Sequence, residues 1–527
     1  MSLISVLARA EAMATGWATP LATVRHRHLS DRPLVLVPLT TAGEVGAPLG
    51  ALVGTAREEP RLLTVAQPRD RDLRFAFLAE LAQIVLPYLE SFADDTETEP
   101  ATRNREESEV CTDAPQLVVA NSAAVEYVRL LGRSTRFRRT AEDDPDEPHP
   151  VPARVPLLGR WFTHYGERAR TPGSSLLLSA TELLTRHWAT GQSNLEDQHL
   201  GALLAWIDRP SAPPGGPASE GVTGAEAARR AESVRGTDGL LECPPAGPAT
   251  DPVFDNTVLA PATARFDVGI PGAADEIATL LAGQMRPTWD AIWRSLDLLR
   301  ELPEGAHVEE RWKRDRWSYT SHRDRVRAGE PPQPRRDDAV SAAQKLAGRE
   351  TAQVRLEAQE ALDDPLEMAG RRLAGQAFAG EVVDVRMAMS EGKIPKPRPL
   401  VTVATEDRPH LDPDAKVYRA LPDGRTQQAQ FLEWSGPGTV LLRVVNGMGR
   451  SKVPDPGTVP EPGDATCWTL FEHAPRGGAG LPEPEDTPWT HGGPPGAVTT
   501  ATAAATGTTT AAALAESADP ATAEDYL

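Results

Sequence analysis

Residues 310–337 read ERWKRDRWSYTSHRDRVRAGEPPQPRRD. Arg311, Lys313, Arg314, Arg316, Arg323, Arg325 and Arg327 stand among Trp312, Trp317 and Tyr319, in a chain of 527 residues whose net charge is -20. The reading of this stretch decides where one folded unit ends and the next begins. A helix over 308–327 puts Val308, Trp312, Tyr319 and Val326 near one stripe, with His322 beside it. Glu309 and Glu310 precede Lys313 and Arg314 by four, the favourable order for ion pairs along a helix. With Asp315 and Asp324 the helix has seven cations against four anions. PPQP (331–334) stops it, and Arg335 and Arg336 follow. One reading is an amphipathic helix with a salt-bridged, solvated face. The other is a phosphate-contacting surface, with Trp317, off the stripe, as a base-stacking residue.

After this stretch the pattern stays helical to about residue 378. Asp337 or Asp338 caps the start of a long helix, and the chain restarts at Asp364-Pro365-Leu366-Glu367, an N-cap with Pro in the first turn. Residues 379–473 change character. GEVVDVRMAM, PLVTVATE, AKVYRAL, QQAQFLEW, TVLLRVVNGM and ATCWTLFE are β-type runs, with a tight turn at Pro422-Asp423-Gly424. Six short strands in this span predict a small barrel of OB or SH3-like type. Residues 474–527, Pro-rich, then Thr/Ala-rich and acidic, predict a disordered tail.

Before it, residues 262–378 read as a helical region. PTWDAIWRSLDLLRELP begins at Pro287, a residue tolerated in a first helical turn, and carries Trp289, Ile292, Trp293, Leu296 and Leu299 on one face. Residues 211–261, opening on a Pro/Gly-rich run, read as an interdomain linker. Residues 1–210 read as an α/β domain with a helical second half. LVLVPL (34–39) and RLLTVAQ (61–67) are strand-like, and RDLRFAFLAELAQIVLPYLESF (71–92) has helical spacing. PQLVVANSAAVEYVRLLGR (115–133) is strand then helix. Two acidic stretches, near 92–112 and 141–156, read as solvated linkers. The predicted fold is thus α+β and multidomain: an α/β domain, a helical region, a small β-barrel and a tail.

The acidic balance argues against a protein that coats nucleic acid over its whole surface, not against a local site. Lysine is rare and Arg is the default cation, which weakens any argument from Arg enrichment alone. Cys111, Cys243 and Cys467 are odd in number, far apart and without CxxC, so neither a zinc ribbon nor a disulfide framework is indicated, and a reducing cytoplasm fits best. No signal-peptide pattern and no membrane-length apolar run occurs.

Motifs of chemistry are few. Gly43, Gly46, Gly50 and Gly54 invite a phosphate-loop reading, but no GK[ST] follows and GxGxxG spacing is absent, which leaves a loop or hairpin. The densest polar set is in 161–208, with His164, Glu167, Arg168, His187, Glu196, Asp197, His199 and Asp208; of these His164, His187, Asp197 and His199 are the candidate metal ligands of a divergent hydrolase or nuclease. Their spacing is not HExxH. Ser193-Asn194-Leu195-Glu196 is a capping box, which gives Glu196 a structural role. Ser390-x-x-Lys393 and the Asp384…Glu391-x-Lys393 pattern are too short to carry a reaction. No GxSxG and no Walker A sequence occurs, and no cofactor is indicated.

Helices leading into a barrel, with KPRPLVTVATED (396–407), LEWSGPGTVLLRVVNGMG and the closing GDATCWTLFE, resemble the stalk-helix and small-barrel accessory region of superfamily 1B helicase-type proteins of GC-rich bacteria. The resemblance covers residues 338–473. It implies an accessory partner of a motor, since the helicase motor motifs are missing. The expectation is a cytoplasmic, non-catalytic accessory protein. It binds DNA or RNA, or a separate helicase or NTPase subunit, with Arg311, Lys313, Arg314, Arg316, Trp317, Arg323, Arg325, Arg327, Arg335 and Arg336 as the contacts. The alternatives are the hydrolase centred on residues 161–208 and a protein–protein scaffold that docks through its acidic tail.

Overall fold

The computed structural model describes residues 2–101, 106–208, 222–337, 339–391 and 395–475. The expected tail lies outside them beyond Pro475, as do Lys393, residues 211–221 of the expected linker and Asp338, one of the two candidate caps.

The strand runs of the first part assemble one five-stranded sheet, in the order Arg61–Thr64, Glu44–Gly54, Leu34–Thr41, Leu117–Val119, Leu177–Ser179. The first three strands pair antiparallel; Leu34–Thr41, Leu117–Val119 and Leu177–Ser179 pair parallel. Alternation then sends side chains to two faces. Leu34, Leu36, Leu117 and Val119 join the core under the helices Arg71–Glu90, Ser122–Thr135 and Val155–Ala169. Val35, Val37, Val118 and Leu178 join the core on the other face. The result is three layers, helix on sheet on helix.

Several boundaries differ from the sequence reading. SSLLLSA, read within a helical block, supplies the edge strand Leu177–Ser179, because its apolar run is buried on both faces, as parallel strands are. The glycine-rich stretch, read as a loop or hairpin, is the strand Glu44–Gly54, the second strand of a hairpin with Leu34–Thr41. A Cβ at Gly50 would stand 2.2 Å from the Leu63 carbonyl oxygen, so glycine is there for close strand approach. The expected linker at 211–261 is partly folded: Gly224–Ser233 is a helix with a Thr223/Glu226 capping box, and Arg235 binds both Asp251 oxygens at 2.8 and 3.0 Å. The helix expected to begin at Pro287 runs from Ala273 to Arg300 with Pro287 inside it. A mid-helix proline forfeits a backbone hydrogen bond; burial of Ile277, Leu281, Met285, Trp289, Ile292 and Leu296 against the sheet offsets that loss. Both cores cross the expected boundary at 210, since Trp312 and Tyr319 belong to one and Trp289 to the other.

All six β-type runs of 379–473 are strands. They close into a barrel in the order Ala377–Arg386, Leu400–Ala404, Thr439–Val444, Thr426–Gly436, Lys416–Ala420, Ala465–Thr469, every pairing antiparallel. An OB barrel has five strands. Phe378, Val382, Val401, Val403, Phe431, Leu442 and Trp468 fill the interior. Gly424, at a φ of 80°, makes the expected hairpin turn after Pro422-Asp423. Between body and barrel run Ala339–Asp363 and Pro365–Leu373, restarted at Asp364 as the sequence predicts, with the Asp364 side chain accepting from Leu366 N–H.

Candidate nucleic-acid interface

The basic stretch forms the helix Val308–Arg327; of its expected apolar stripe Val308, Trp312 and Tyr319 are buried, with His322 beside them, and Val326 is half-buried. The cations are not where a solvated face would put them. Arg311, Arg316 and Arg323 are 3 %, 8 % and 7 % exposed. Arg311 donates to Gln359 at 2.9 Å and to the His26 carbonyl at 3.1 Å. Burial lowers its pKa to about 10, with repulsion from Arg27 adding to the effect. Arg316 binds Glu97 and the Thr112 carbonyl, both at 2.8 Å. Arg323 reaches the Ala93 carbonyl at 2.5 Å and Cys111 Sγ at 2.9 Å. In this structure these three arginines serve as internal cross-links.

The remaining expected contacts divide. Lys313 and Trp317 both meet Glu99, at 2.7 and 3.2 Å. Arg327 pairs with Asp94 and Arg325 with Glu330. Arg314 is half-buried, its pKa lowered by burial. Arg335 is exposed and lies over the Phe137 ring, and Arg336 is exposed. The expected pairs along the helix give way to tertiary ones, since Lys313 turns to Glu99 and Glu310 accepts from Gln359 at 2.8 Å. The acidic partners come from the stretch read as a linker near 92–112. It is a two-stranded ribbon, Thr96–Glu99 with Ser108–Cys111, laid on the helix. Fully buried Asp315 binds the other side of the helix to the body through Arg168 (2.7 Å), Ser174 (2.8 Å) and the Ser175 amide (2.6 Å).

His164, His187, Asp197 and His199 are not brought together. His164 stacks on His322 with ring centroids 4.2 Å apart. Burial holds His164 well below the usual range and lowers His322 to about 3. His187 lies by His26 and bonds the Leu183 carbonyl at 2.7 Å, and burial lowers it to about 4. Asp197 accepts from Thr190 at 2.7 Å, and His199 caps the helix Leu200–Ile207 by accepting from Ala202 N–H. Glu196 closes the predicted capping box with Ser193. Among the described residues no group of three or more His, Cys, Asp or Glu side chains is placed to hold a metal ion.

Open α/β sheets take ligands where the strand order reverses, outside the carboxyl ends of the strands. Here that place lies between Leu34–Thr41 and Leu117–Val119, and the chain's own residues 246–250 fill it. Thr40 N–H donates to the Pro248 carbonyl at 2.7 Å, Thr250 N–H to the Thr40 carbonyl at 3.1 Å, and Asn121 Nδ2 to the Gly247 carbonyl at 2.8 Å.

Sequence reasoning missed a second feature, the socket that seats Ala339–Asp363, the stalk between the three-layer body and the barrel. Glu360, at the end of Ala339–Asp363, is buried between Arg27 and Arg186. Burial would raise Asp364, but His26, Thr23 and the Leu366 amide outweigh it and hold the carboxyl at about 2. Asp363 binds His307 and raises its pKa. The only sequence signal was the acidic run at the helix restart, already explained by capping. The outer turns of the same helix expose Leu346 and Val354, and Arg349 between them pairs with Glu167 of the helix Val155–Ala169 at 2.8 Å.

On the barrel, the strand Ala377–Arg386, which exposes Val383, continues into an arm, bridged at Met389 and Pro397, that exposes Met387 and Met389. Arg386 pairs with its neighbour Asp384 at 3.1 Å. Lys396 and Arg398 have no carboxylate partner among the described residues. Elsewhere, the helix Leu3–Thr15 turns Leu3, Val6, Leu7 and Met13 outward, a stripe at helical spacing. Among the described residues no helix is long and apolar enough to cross a membrane. No protein-family model, curated protein or solved structure matches the chain.

Proposed function

We propose that this chain is a non-catalytic accessory protein that binds nucleic acid, or a separate helicase or other NTPase, through its stalk and barrel. The observation that carries the reading is how the arm is mounted. The inner end of the stalk is fixed in the body by Glu360, Asp363 and Asp364, while its outer turns and the barrel arm present exposed side chains. Lys396 and Arg398 stand there as phosphate contacts, with Met387 and Met389 as apolar contacts to bases or to a protein. This keeps the element order of the helicase accessory regions that the chain resembles and goes with a cytoplasmic location. It moves the expected contact from the basic helix to the barrel.

The test is purification of the tagged chain from its native source, with and without nuclease, followed by mass spectrometry. A helicase or other NTPase that stays bound after nuclease treatment is the result expected for a motor partner. Nucleic acid recovered alone is the result expected for direct binding, and its yield should fall in the Lys396→Glu, Arg398→Glu double variant. Recovery of neither sinks the reading. One observation favours the scaffold reading in addition: the outward apolar stripe of Leu3–Thr15 is suited to a partner's apolar surface. Val6→Asp with Leu7→Asp should then release a co-purifying protein without unfolding the chain.

A further inference from the structure

The acidic ribbon and the basic helix meet along one line. Residues 94–99 and 108–111 hold five carboxylates and no Lys or Arg. Glu97 accepts from Arg316 at 2.8 Å, Glu99 from Lys313 at 2.7 Å, and Asp94 from Arg327 at 2.7 Å. Glu99 also accepts from the Trp317 indole at 3.2 Å. Glu97 and Glu99 sit at alternate positions of one strand, so the pleat directs both to the helix. Cations and an indole are what a single-stranded nucleic acid needs for its phosphates and a base. Beside the contact opens a cleft of about 690 Å³, lined by Arg25, Arg32, Phe92, Trp312 and Arg316, with Glu97 on its wall.

The two ends of the ribbon are held differently. At its base Ala93, Val110 and Cys111 are buried, Arg323 binds the Ala93 carbonyl, and Cys111 N–H donates to Thr320 Oγ1 at 3.0 Å. Among the described residues the two strands pair only with each other. A two-stranded sheet is marginal alone, so Thr96–Glu99 is held on the helix in part by the ion pairs of Glu97 and Glu99, with that of Asp94 beside the base. Those pairs are partly exposed, individually weak and weakened further by salt.

We propose that Thr96–Glu99 is a phosphate mimic that covers a second nucleic-acid surface, made of Lys313, Arg316, Trp317 and Arg327. A single strand displaces it, its phosphates taking the places of the Glu97 and Glu99 carboxylates and a base reaching Trp317. The proposal rests on the nucleic-acid reading above and adds to it a surface that the resting chain keeps closed.

The experiment compares the full chain with its Glu97→Gln, Glu99→Gln variant, using fluorescence anisotropy of labelled oligothymidylate and oligouridylate over a salt series. The variant should bind about tenfold more tightly at low salt, with affinity falling steeply as salt rises. Adding Lys313→Glu should reverse the gain. In hydrogen exchange on the unsubstituted chain, the Thr96–Glu99 amides should lose protection on adding oligonucleotide while those of Val35 and Val37 keep theirs. No gain in the variant, or unchanged ribbon protection at saturating oligonucleotide, overturns the proposal. If wild-type binding then still depends on Lys396 and Arg398, only the ribbon idea fails; if no form of the chain binds, the nucleic-acid reading fails with it. Equal melting temperatures of variant and parent establish that the fold is intact.

Discussion

Two cationic regions, the helix Val308–Arg327 and the barrel arm that follows Arg386, look alike in sequence and behave differently in the fold. Both combine Arg and Lys with large apolar side chains. In the helix, Arg311, Arg316 and Arg323 are buried and serve as hydrogen-bond donors to backbone and carboxylates. In the arm, Lys396 and Arg398 lie near the surface without carboxylate partners among the described residues. Availability, not number, separates a binding surface from an internal cross-link. It is set by partners far away in sequence: Glu97 stands 219 residues before Arg316.

The comparison breaks most readily at Asp315. Asp315→Ala removes the buried acceptor of Arg168, Ser174 and the Ser175 amide. It should cost about 3–5 kcal/mol of stability in urea melts, the range for losing one partner of a buried pair. Asp384→Ala, which frees exposed Arg386 at the foot of the arm, should cost under about 0.5 kcal/mol. Equal losses would mean that the helix is no more integral to its core than the arm is to the barrel.

Glu360→Gln comes next. It leaves Arg27 and Arg186 without their shared carboxylate and should cost about 2–3 kcal/mol, seen as faster proteolysis between body and barrel. Unchanged cleavage would show that the socket does not fix the stalk.

Acid separates the two regions further. His187 and His322 are held at about 4 and about 3 by burial. Their unfolded forms take up protons near pH 6.5, so their contribution is complete above that pH and is lost progressively as pH falls toward 4 and then 3. Asp364, held at about 2, has the same sign in a lower window, from about pH 4 down to 2. The body should therefore lose stability between pH 6.5 and 4, and His322→Phe should flatten part of that loss. A flat profile for the unsubstituted chain would mean that His187 and His322 gain protons as readily folded as unfolded.

The smallest effect on stability is expected on the arm itself. Lys396→Glu with Arg398→Glu should leave the melting curve within about 0.5 kcal/mol of the parent while weakening oligonucleotide binding about tenfold and flattening its salt slope. A variant that binds as the parent does would move the interface off the arm.

What the sequence determined by itself is local. All six barrel strands were legible from alternation and turn residues, because a closed antiparallel barrel buries every second side chain and its pattern is complete within each strand. The restart at Asp364 and the capping box at Ser193 were legible for the same reason, since a cap is a contact within a few residues. The edge strand Leu177–Ser179 was not, because a short strand buried on both faces has the composition of a helix segment. Only the tertiary structure decided that the basic helix is a core element, that an acidic stretch read as linker is its counterpart, and that His164, His187, Asp197 and His199 serve separate places. Side-chain periodicity says which residues turn inward; it does not say which carboxylate, two hundred residues away, waits there.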